Sequence, residues 1–387
     1  MKNNWEKVKL STIANVTMGQ SPKSSYYNSV GEGMPFLQGN RTFGFLYPTF
    51  DTWTTMVTKT AKAGDIIMSV RAPVGDINIT PVDICLGRGV CSIREKNNNQ
   101  TFLYYLMKYM KPIIVNKESG TVFGSINSND INNLEVCIPK SKETQKKIAK
   151  MLSAFDDKIE LNNKINENLE QQAQAVFKEK IINQCNNRNG KIGDYCSVKS
   201  GFAFKSTWWQ DKGIKVIKIK NINDDNIDIK NCSFVNKDKI PFAKEFVVKG
   251  GDLLIAMTGA TIGKFAVVPK TNETLLVNQR VGKFFLGEEP INNLPFLYCT
   301  LKEKDITTEI INKGQGSAQA NISGNDIMTT DCYFPNRDII QSFNKICKPL
   351  FENIIMNNYE NEQLANLRDT LLPKLMNGEI DVDKINI

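Results

Sequence analysis

The chain has 387 residues, of which 41% are apolar and 23% charged, a balance that excludes a disordered protein. No apolar run approaches the roughly 18 residues that a membrane helix needs. Histidine is absent, which excludes Ser-His-Asp and Cys-His catalysis and a Cys/His zinc site. Because the N-terminus carries no export signal, we expect a cytoplasmic protein without a membrane partner. Its nine scattered cysteines are then expected to be free, mostly buried thiols.

The net charge is +8, and its distribution along the chain is uneven. Residues 1–140 carry 15 basic and 10 acidic side chains, and residues 188–336 are also basic overall. Residues 141–187 are close to neutral and residues 337–387 are slightly acidic. Two separate basic segments suit a polyanionic partner, although charge alone fits a merely soluble protein equally well.

The chain contains an internal repeat. The segment GDIIM at 64–68 is echoed by GDLLI at 251–255, and FLYY at 102–105 by FLYC at 296–299. The tripeptide NDI at 129–131 returns at 325–327. Since the blocks keep their order at an offset that grows from 187 to 196, we interpret the chain as a duplicated unit.

Each repeat begins with a part that we predict to be rich in β-structure. Short apolar runs bounded by Gly, Pro and Asp predict strands at 66–70, 77–80, 253–257 and 265–268. Short helices are expected at 102–110 and 295–302. The fold class is therefore predicted to be α+β.

Each repeat ends in a long helical pattern whose apolar positions alternate by four and three residues, as in a heptad seam. The positions that we assign to helix pairing or partner binding are Leu152, Phe155, Ile159, Leu350, Ile354, Leu364 and Leu371. A helix of roughly 35 residues would be about 50 Å long.

Asparagines interrupt both seams at matching places: Asn162 and Asn166 in the first helix, Asn357 and Asn361 in the second, at an offset of 195. They either lie on solvated faces or are buried between the helices and fix their register. An antiparallel pair would bring the two clusters together. It would act as a rigid spacer between two similar domains related by an approximate two-fold axis.

This duplicated arrangement resembles the specificity subunit of type I restriction-modification systems over essentially the whole chain. The most specific segments are KAGDII at 62–67 with Gly75, the block from Gly316 to NDI at 325–327, and the tail LLPKLMNGEI at 371–380. The family often has Glu-Gln at the helix start, where this chain has Thr144-Gln145 and Ile340-Gln341. The difference concerns only the capping of the helices.

The resemblance implies a division into target recognition domain 1 at 1–140, a central spacer helix at 141–187, target recognition domain 2 at 188–336, and a C-terminal spacer helix with tail at 337–387. It implies a non-catalytic subunit that reads an asymmetric bipartite target in double-stranded DNA with a fixed unread gap. The expected partners are two adenine-N6 methyltransferase subunits and restriction/translocase subunits. S-adenosylmethionine, ATP and Mg²⁺ would belong to those partners, and this chain is expected to bind no cofactor or metal.

Base edges are read by side chains that donate or accept two hydrogen bonds, or by cations, on loops. We therefore predict DNA contacts for Ser21, Lys23, Gln38, Asn40, Arg41, Arg71, Arg88 and Gly124 in the first repeat. The candidates in the second repeat are Lys205, Lys218, Lys220, Asn221, Gln279, Arg280 and Gln315. For any single one of them, an ordinary solvated loop residue is an equal interpretation.

An apolar stripe continues from residue 364 to 376, where Pro373 predicts a kink and Gly378 a helix stop. One side of this stripe is expected to pair with the first helix. Another side is expected to bind a methyltransferase subunit.

Two other functions stay open. A stand-alone nuclease or methyltransferase would need a cryptic site, since the chain has no Pro-Pro pair and no phosphate-loop motif. The carboxylate-x-Lys matches at 156–158 and 228–230 are short, and the first falls within the helical pattern. The other function is that of a coiled-coil adaptor that binds protein and not DNA.

Overall fold

A computed structural model describes residues 4–117, 124–223, 226–314 and 320–385. The chain divides into two compact units. Unit 1 comprises Met1–Glu160 with Gln363–Ile387, and unit 2 comprises Leu161–Glu362. Each unit contains the globular part of one repeat and segments of both long helices, as expected for an α+β duplication.

Three sheets form the described β-structure of unit 1. A two-stranded antiparallel sheet joins Trp5–Lys9 to Glu135–Pro139. The four-stranded sheet has the order Ala14–Met18, Val90–Glu95, Ile66–Ser69, Ile77–Ile79 and is antiparallel throughout. The five-stranded sheet has the order Tyr27–Asn28, Trp53–Thr54, Met34–Leu37, Ile84–Leu86, Thr60–Ala61.

Unit 2 repeats this arrangement. Gly190–Lys191 pairs with Asp331–Cys332. Its four-stranded sheet has the order Ser197–Ser200, Val281–Phe285, Leu253–Ala256, Phe265–Val267. Its five-stranded sheet has the order Trp209–Gln210, Ser233–Val235, Ile214–Ile217, Leu275–Val277, Val247–Val248. A small hairpin, Ile222–Asn223 with Asn226–Ile227, is added in this unit.

Short helices complete both units. Unit 1 contains Leu10–Ile13, Gln100–Asn116, Ser128–Asn132 and the 3₁₀ turns Ser24–Tyr26 and Val382–Lys384. Unit 2 contains α-helices Ile192–Tyr195, Leu294–Lys302, Lys304–Lys313 and Gly324–Met328, and 3₁₀ segments Ile182–Gln184, Ser206–Trp208, Ile219–Asn221, Lys237–Phe246, Gly259–Thr261 and Pro290–Asn292. The predicted helices at 102–110 and 295–302 and the four predicted strands are confirmed to within a few residues, except that the first helix continues to Asn116.

The two long helices are Lys142–Lys180 and Arg337–Met376, hereafter the first and second long helix. The second long helix passes through Pro373 and ends at Met376, so Pro373 does not end it. Gly378 follows with φ +70°, and its N–H donates to Leu375 O at 3.2 Å. A residue in this left-handed conformation is a common helix stop, as the sequence predicted for Gly378.

The long helices pair in antiparallel fashion within each unit, which confirms the predicted coiled-coil arrangement. In unit 1, Asp156 pairs with Arg368 of the second long helix, and Lys147 Nζ, nearer the start of the first, lies 3.0 Å from Asp383, which follows the end of the second. In unit 2, Asn357 donates to Asn166. The ring of Phe177 lies 5.6 Å from that of Phe343, centroid to centroid.

The buried stripe of these helices differs from the predicted seam by one residue at several positions. Leu152, Ile159 and Ile354 are buried as expected, whereas Phe155, Leu350, Leu364 and Leu371 are only half-buried. The residues that follow three of these, Asp156, Phe351 and Leu372, are buried instead. The stripe is displaced because each helix packs against the globular core of its unit as well as against the other helix.

Candidate nucleic-acid interface

A parallel pair of strands lies inside each five-stranded sheet. Met34–Leu37 runs parallel to Ile84–Leu86 in unit 1, and Ile214–Ile217 runs parallel to Leu275–Val277 in unit 2. Parallel neighbours have their carboxyl ends at the same edge of a sheet. The loops that leave this edge carry many of the residues predicted to contact DNA.

Three of these residues meet in unit 1, and we call them the unit 1 group: Ser21, Gln38 and Arg88. Gln38 follows the first parallel strand, and Arg88 lies two residues after the second. Ser21 Oγ donates to Gln38 Oε1 at 2.9 Å and accepts from the backbone N–H of Arg88 at 3.1 Å. Gln38 and Arg88 are exposed, so both remain accessible to a ligand.

Backbone hydrogen bonds hold these loops against each other. Gly87 donates to Leu37 O at 2.7 Å, and Gly89 donates to Gln38 O at 3.1 Å. A Cβ at Gly89 would lie 2.3 Å from Gln38 O, so this approach requires glycine. Gly89 O in turn accepts from Val70 N, which brings Arg71, the next residue, beside the unit 1 group.

The same backbone pattern occurs in unit 2. Asn278 donates to Ile217 O at 3.0 Å, as Gly87 does to Leu37 O. Met257 donates to Arg280 O at 3.0 Å, as Val70 does to Gly89 O. These bonds place Lys218 and Gln279 at the positions that Gln38 and Arg88 occupy in unit 1.

Ala203 corresponds in the same way to Ser21, because Phe202 donates to Val277 O at 2.9 Å as Gln20 does to Leu86 O. We call Ala203, Lys218 and Gln279 the unit 2 group. The two units thus build one site twice with different side chains. Arginine and glutamine can each form two parallel hydrogen bonds, whereas lysine is a compact cation, so the two groups present different hydrogen-bonding patterns.

The cation of Lys218 lies over an aromatic ring. Its Nζ is 3.4 Å from the ring centroid of Trp209. Burial lowers the pKa of Lys218, and the neighbouring Lys220 lowers it further. An anion bound beside Lys218 would relieve this repulsion.

Other predicted residues lie on loops around these groups. Asn40 Nδ2 donates to Asp76 at 2.7 Å, and exposed Arg41 pairs with Asp51 at 2.6 Å. The hydrogen bond from Arg41 lowers the pKa of Asp51. Four of the remaining candidates are exposed: Lys23, Lys205, Lys220 and Arg280. Gly124 O accepts from the backbone N–H of Ala72, next to Arg71. Gln315 lies outside the described residues.

The burial of Asn221 corrects the prediction that this residue contacts DNA. The residue is 1% exposed, and its Nδ2 donates to the carbonyls of Asp228 and Asn231, both at 3.1 Å. Its Oδ1 accepts from Lys218 N at 3.0 Å. The amide of Asn221 therefore holds the loop that positions Lys218, and the predicted DNA contact by Asn221 is wrong.

An aromatic cluster near the unit 2 group was not predicted from the sequence. Trp208 and Trp209 follow Lys205, and Phe242 lies 5.5 Å from Trp208, centroid to centroid. The signal was present in the repeat, since KSTWW at 205–209 corresponds to KSSYY at 23–27.

Among the described residues, no group of three or more Cys, Asp or Glu side chains is placed to hold a metal ion. No helix within the described ranges is long and apolar enough to span a membrane.

The fold is that of a duplicated protein in which each unit contains an antiparallel pair of long-helix segments and a loop group on the same backbone frame. Comparison with known proteins agrees with this class. Residues 2–171 and 186–366 each match the family described as type I restriction modification DNA specificity domain. Because these matches cover most of the sequence, the chain belongs to that family.

Relatives in archaea support the assignment. A protein of Methanocaldococcus jannaschii named as the MjaX type I restriction enzyme specificity subunit is 43% identical over 184 residues. That match covers 46% of this chain and 42% of the relative, less than half of either. The MjaIX specificity subunit of the same organism is 25% identical over 420 residues, covering 98% of this chain and 94% of the relative.

A solved structure shares the fold. The crystal structure of the type I restriction-modification system S subunit from M. genitalium superposes with a TM-score of 0.54. It covers 97% of both chains at 18% sequence identity.

Proposed function

We propose that this chain is the DNA-recognition subunit of a type I restriction-modification complex and that each unit reads one half of an asymmetric bipartite target. One observation carries the proposal. The same loop site occurs in both units on the same backbone frame, with Gln38 and Arg88 in one and Lys218 and Gln279 in the other. A protein that read a symmetric target would need the same side chains in both.

In this proposal, different segments of the chain and different partners have separate roles. Recognition domains at 1–140 and 188–336 supply base contacts, and the helical segments at 141–187 and 337–387 set the unread gap. Two adenine-N6 methyltransferase subunits dock on this chain, and restriction/translocase subunits complete the complex in the cytoplasm. S-adenosylmethionine, ATP and Mg²⁺ are bound by those partners, and the chemistry takes place there.

The test is to co-express the chain with its methyltransferase subunit and map N6-methyladenine across host DNA. We expect a bipartite motif with a fixed gap, methylated on both strands and lost when this chain is omitted. An uninterrupted palindrome would contradict the proposal. A variant with Arg88→Ala should change only one half of the motif, whereas Gln279→Ala should change only the other.

The alternative functions predict different results with the purified chain. A stand-alone enzyme would cut or methylate DNA without any partner. A protein-binding adaptor would form the complex with the methyltransferase yet show no DNA binding that weakens steeply with salt, the behaviour that phosphate contacts impose.

A further inference from the structure

Unit 2 carries an exposed aromatic side chain next to its candidate DNA site. Phe242 is 61% exposed, more than any other aromatic residue in the described ranges. Leaving an aromatic ring of this size in water forgoes the free energy of its burial. A single exposed ring needs no explanation by itself, but its surroundings here are specific.

Phe242 is held in place by the segment that carries it. It lies in the 3₁₀ segment Lys237–Phe246, directly after Pro241. Ala243, the next residue, is fully buried, and Ile240 packs against the same small core. Residues on both sides of the exposed ring are thus packed against this core.

Aromatic rings connect Phe242 to the unit 2 group. The Trp208 ring lies behind Phe242 and stacks on Phe202 at 6.0 Å with an interplanar angle of 8°. Phe202 O accepts from the backbone N–H of Gln279 at 2.9 Å. The exposed ring is therefore linked, through Trp208 and Phe202, to the loop that carries Gln279.

Lysines surround these rings. Lys239 Nζ lies 4.9 Å and Lys205 Nζ 5.7 Å from the Trp208 centroid. Asp238 neutralises part of this charge, because it pairs with Lys239 at 2.7 Å. Lys205 adds a second cation, so the cluster complements an anionic partner with flat apolar faces, which is the chemistry of DNA.

Unit 1 has no counterpart of the exposed Phe242 ring. The segment that corresponds to Lys237–Phe246 is shortened there to residues 55–59, which contain no aromatic residue. Tyr26, at the position of Trp208, is 43% exposed. Tyr27, at the position of Trp209, packs on Phe36 at 4.7 Å and donates to Pro22 O. The aromatic pair at 208–209 thus has a counterpart in both repeats, whereas the exposed Phe242 ring is a property of unit 2 alone.

We propose that Phe242, supported by Trp208, is a wedge that inserts at a base step of the half-site read by unit 2. Apolar side chains of this kind partly unstack neighbouring bases and kink the duplex. Flanking lysines neutralise phosphates on either side of the inserted ring. The proposal rests on the proposed function, and it predicts that the two half-sites differ in deformation as well as in sequence.

The test uses the full-length chain without the methyltransferase, so that no enzyme extrudes a base. Duplexes with the mapped target carry 2-aminopurine at single positions in and beside each half-site. We expect wild-type chain to raise the fluorescence at one step in the unit 2 half-site only. Phe242→Ala should abolish this rise and weaken binding roughly 5- to 100-fold, while Phe242→Trp retains the rise.

Met56→Ala is the matched control, because Met56 is an exposed apolar residue (43%) in the corresponding segment of unit 1. It should leave both the fluorescence and the affinity unchanged. Equal fluorescence and affinity for wild type and Phe242→Ala would overturn the wedge. So would loss of methyltransferase co-purification by Phe242→Ala with unchanged DNA binding, which would assign the ring to a protein partner. If the wild-type chain binds no target DNA, the proposed function itself fails.

Discussion

Arg368 on the second long helix donates to Asp156 on the first long helix, and both side chains are buried within unit 1. Tyr105 OH also donates to Asp156, at 2.8 Å, and Lys108 Nζ lies 3.6 Å from it. Tyr105 and Lys108 belong to the helix Gln100–Asn116 of the globular part. One carboxylate therefore ties together three helices.

In unit 2, apolar residues occupy the buried positions that correspond to Asp156 and Arg368. At the offset of 195 between the long helices, Asp156 corresponds to Phe351 and Arg368 to Ala173. Both counterparts are buried in unit 2, where Phe351 packs edge-on against Tyr298 at 5.0 Å. The charged pair of unit 1 is thus not required by the fold, and it distinguishes the two helix crossings.

Arg368→Ala should destabilise unit 1 by about 3 kcal/mol, because it removes the hydrogen-bonded cation of the buried Asp156 carboxylate and leaves only Lys108, 3.6 Å away. Urea unfolding followed by circular dichroism measures this loss. The control is Asp157→Asn, an exposed neighbour whose change should cost under about 0.5 kcal/mol.

Replacing the whole charged cluster should restore most of that loss. The triple variant Tyr105→Phe, Asp156→Leu and Arg368→Met removes the buried hydroxyl, carboxylate and guanidinium together, while the half-buried Lys108 keeps access to solvent. Apolar packing of similar volume often equals a buried ion pair. If the triple variant is no more stable than Arg368→Ala, the charge pair is not the cause of the destabilisation.

The asparagine cluster supports a second prediction, about register. Asn357 Nδ2 donates to Asn166 Oδ1 at 2.8 Å, while Asn162 Nδ2 donates to Asn361 Oδ1 at 2.9 Å. Asn166 with Asn357 is thus one of two asparagine pairs that join the long helices. Replacing both by Leu should raise the thermal midpoint but relax the register, because apolar contacts are less selective than paired amides.

The measurement is the spread of gap lengths in the methylated motif, together with the melting temperature. Asn166→Leu alone should instead lower the melting temperature, since it removes the partner of the Asn357 amide. A double variant with a lower melting temperature and a single gap length would contradict the register role.

Base recognition gives a third prediction. Arg88→Ala should weaken binding to the mapped target by about 1–3 kcal/mol and relax specificity at one position, if Arg88 makes two hydrogen bonds to a base. Arg41→Ala is the comparison, because Arg41 is also exposed but is already paired with Asp51. Competition binding with single-base variants of the target separates the two. Unchanged discrimination at every position would remove Arg88 from the reading site.

Partner docking can be tested on the exposed face of the long helices. Leu161 and Met356, which correspond at the offset of 195, are 52% and 50% exposed. Two equivalent apolar positions suit two copies of one partner. Leu161→Glu with Met356→Glu should abolish co-purification of the methyltransferase subunit without unfolding the chain, because a charge would be buried at each contact.

Leu367→Glu is the control for that docking test. Leu367 is 53% exposed on the second long helix, but the corresponding residue of the first is the polar Gln172. The Leu367→Glu variant should leave co-purification of the methyltransferase subunit unchanged. Truncation after Tyr359 would be a less specific test of docking, because it would also remove Arg368 and the buried Leu375 from unit 1.

Cysteine reactivity offers a simple check of the two cores. Burial raises the pKa of Cys91, Cys196 and Cys332 to about 12, so these thiols should stay protonated and unreactive at pH 8. Cys137 and Cys185 are only half-buried and should be alkylated first by iodoacetamide in the folded protein. Peptide mass spectrometry measures the order, and early labelling of Cys91 would contradict the packing of unit 1.

Much of the architecture was predictable because it depends on local patterns. Sequence blocks repeated at a nearly constant offset indicate a duplication, and apolar residues that alternate by four and three indicate a helical seam. Neither pattern depends on contacts elsewhere in the chain. The free cysteines were likewise expected, and the described residues confirm them as free thiols. The asparagines were placed in the seam by spacing alone, although their individual partners were not.

The sequence by itself determined the duplication, the two long helices and the residue types available for reading DNA. Only the tertiary structure decided which loops meet, because Ser21, Gln38 and Arg88 come from three separate segments that one parallel strand pair brings together. It also decided that Asn221 is buried, that Asp156 replaces Phe155 in the packed stripe, and that Phe242 stands beside Trp208. Those outcomes depend on contacts between residues far apart in the chain, which no local periodicity specifies.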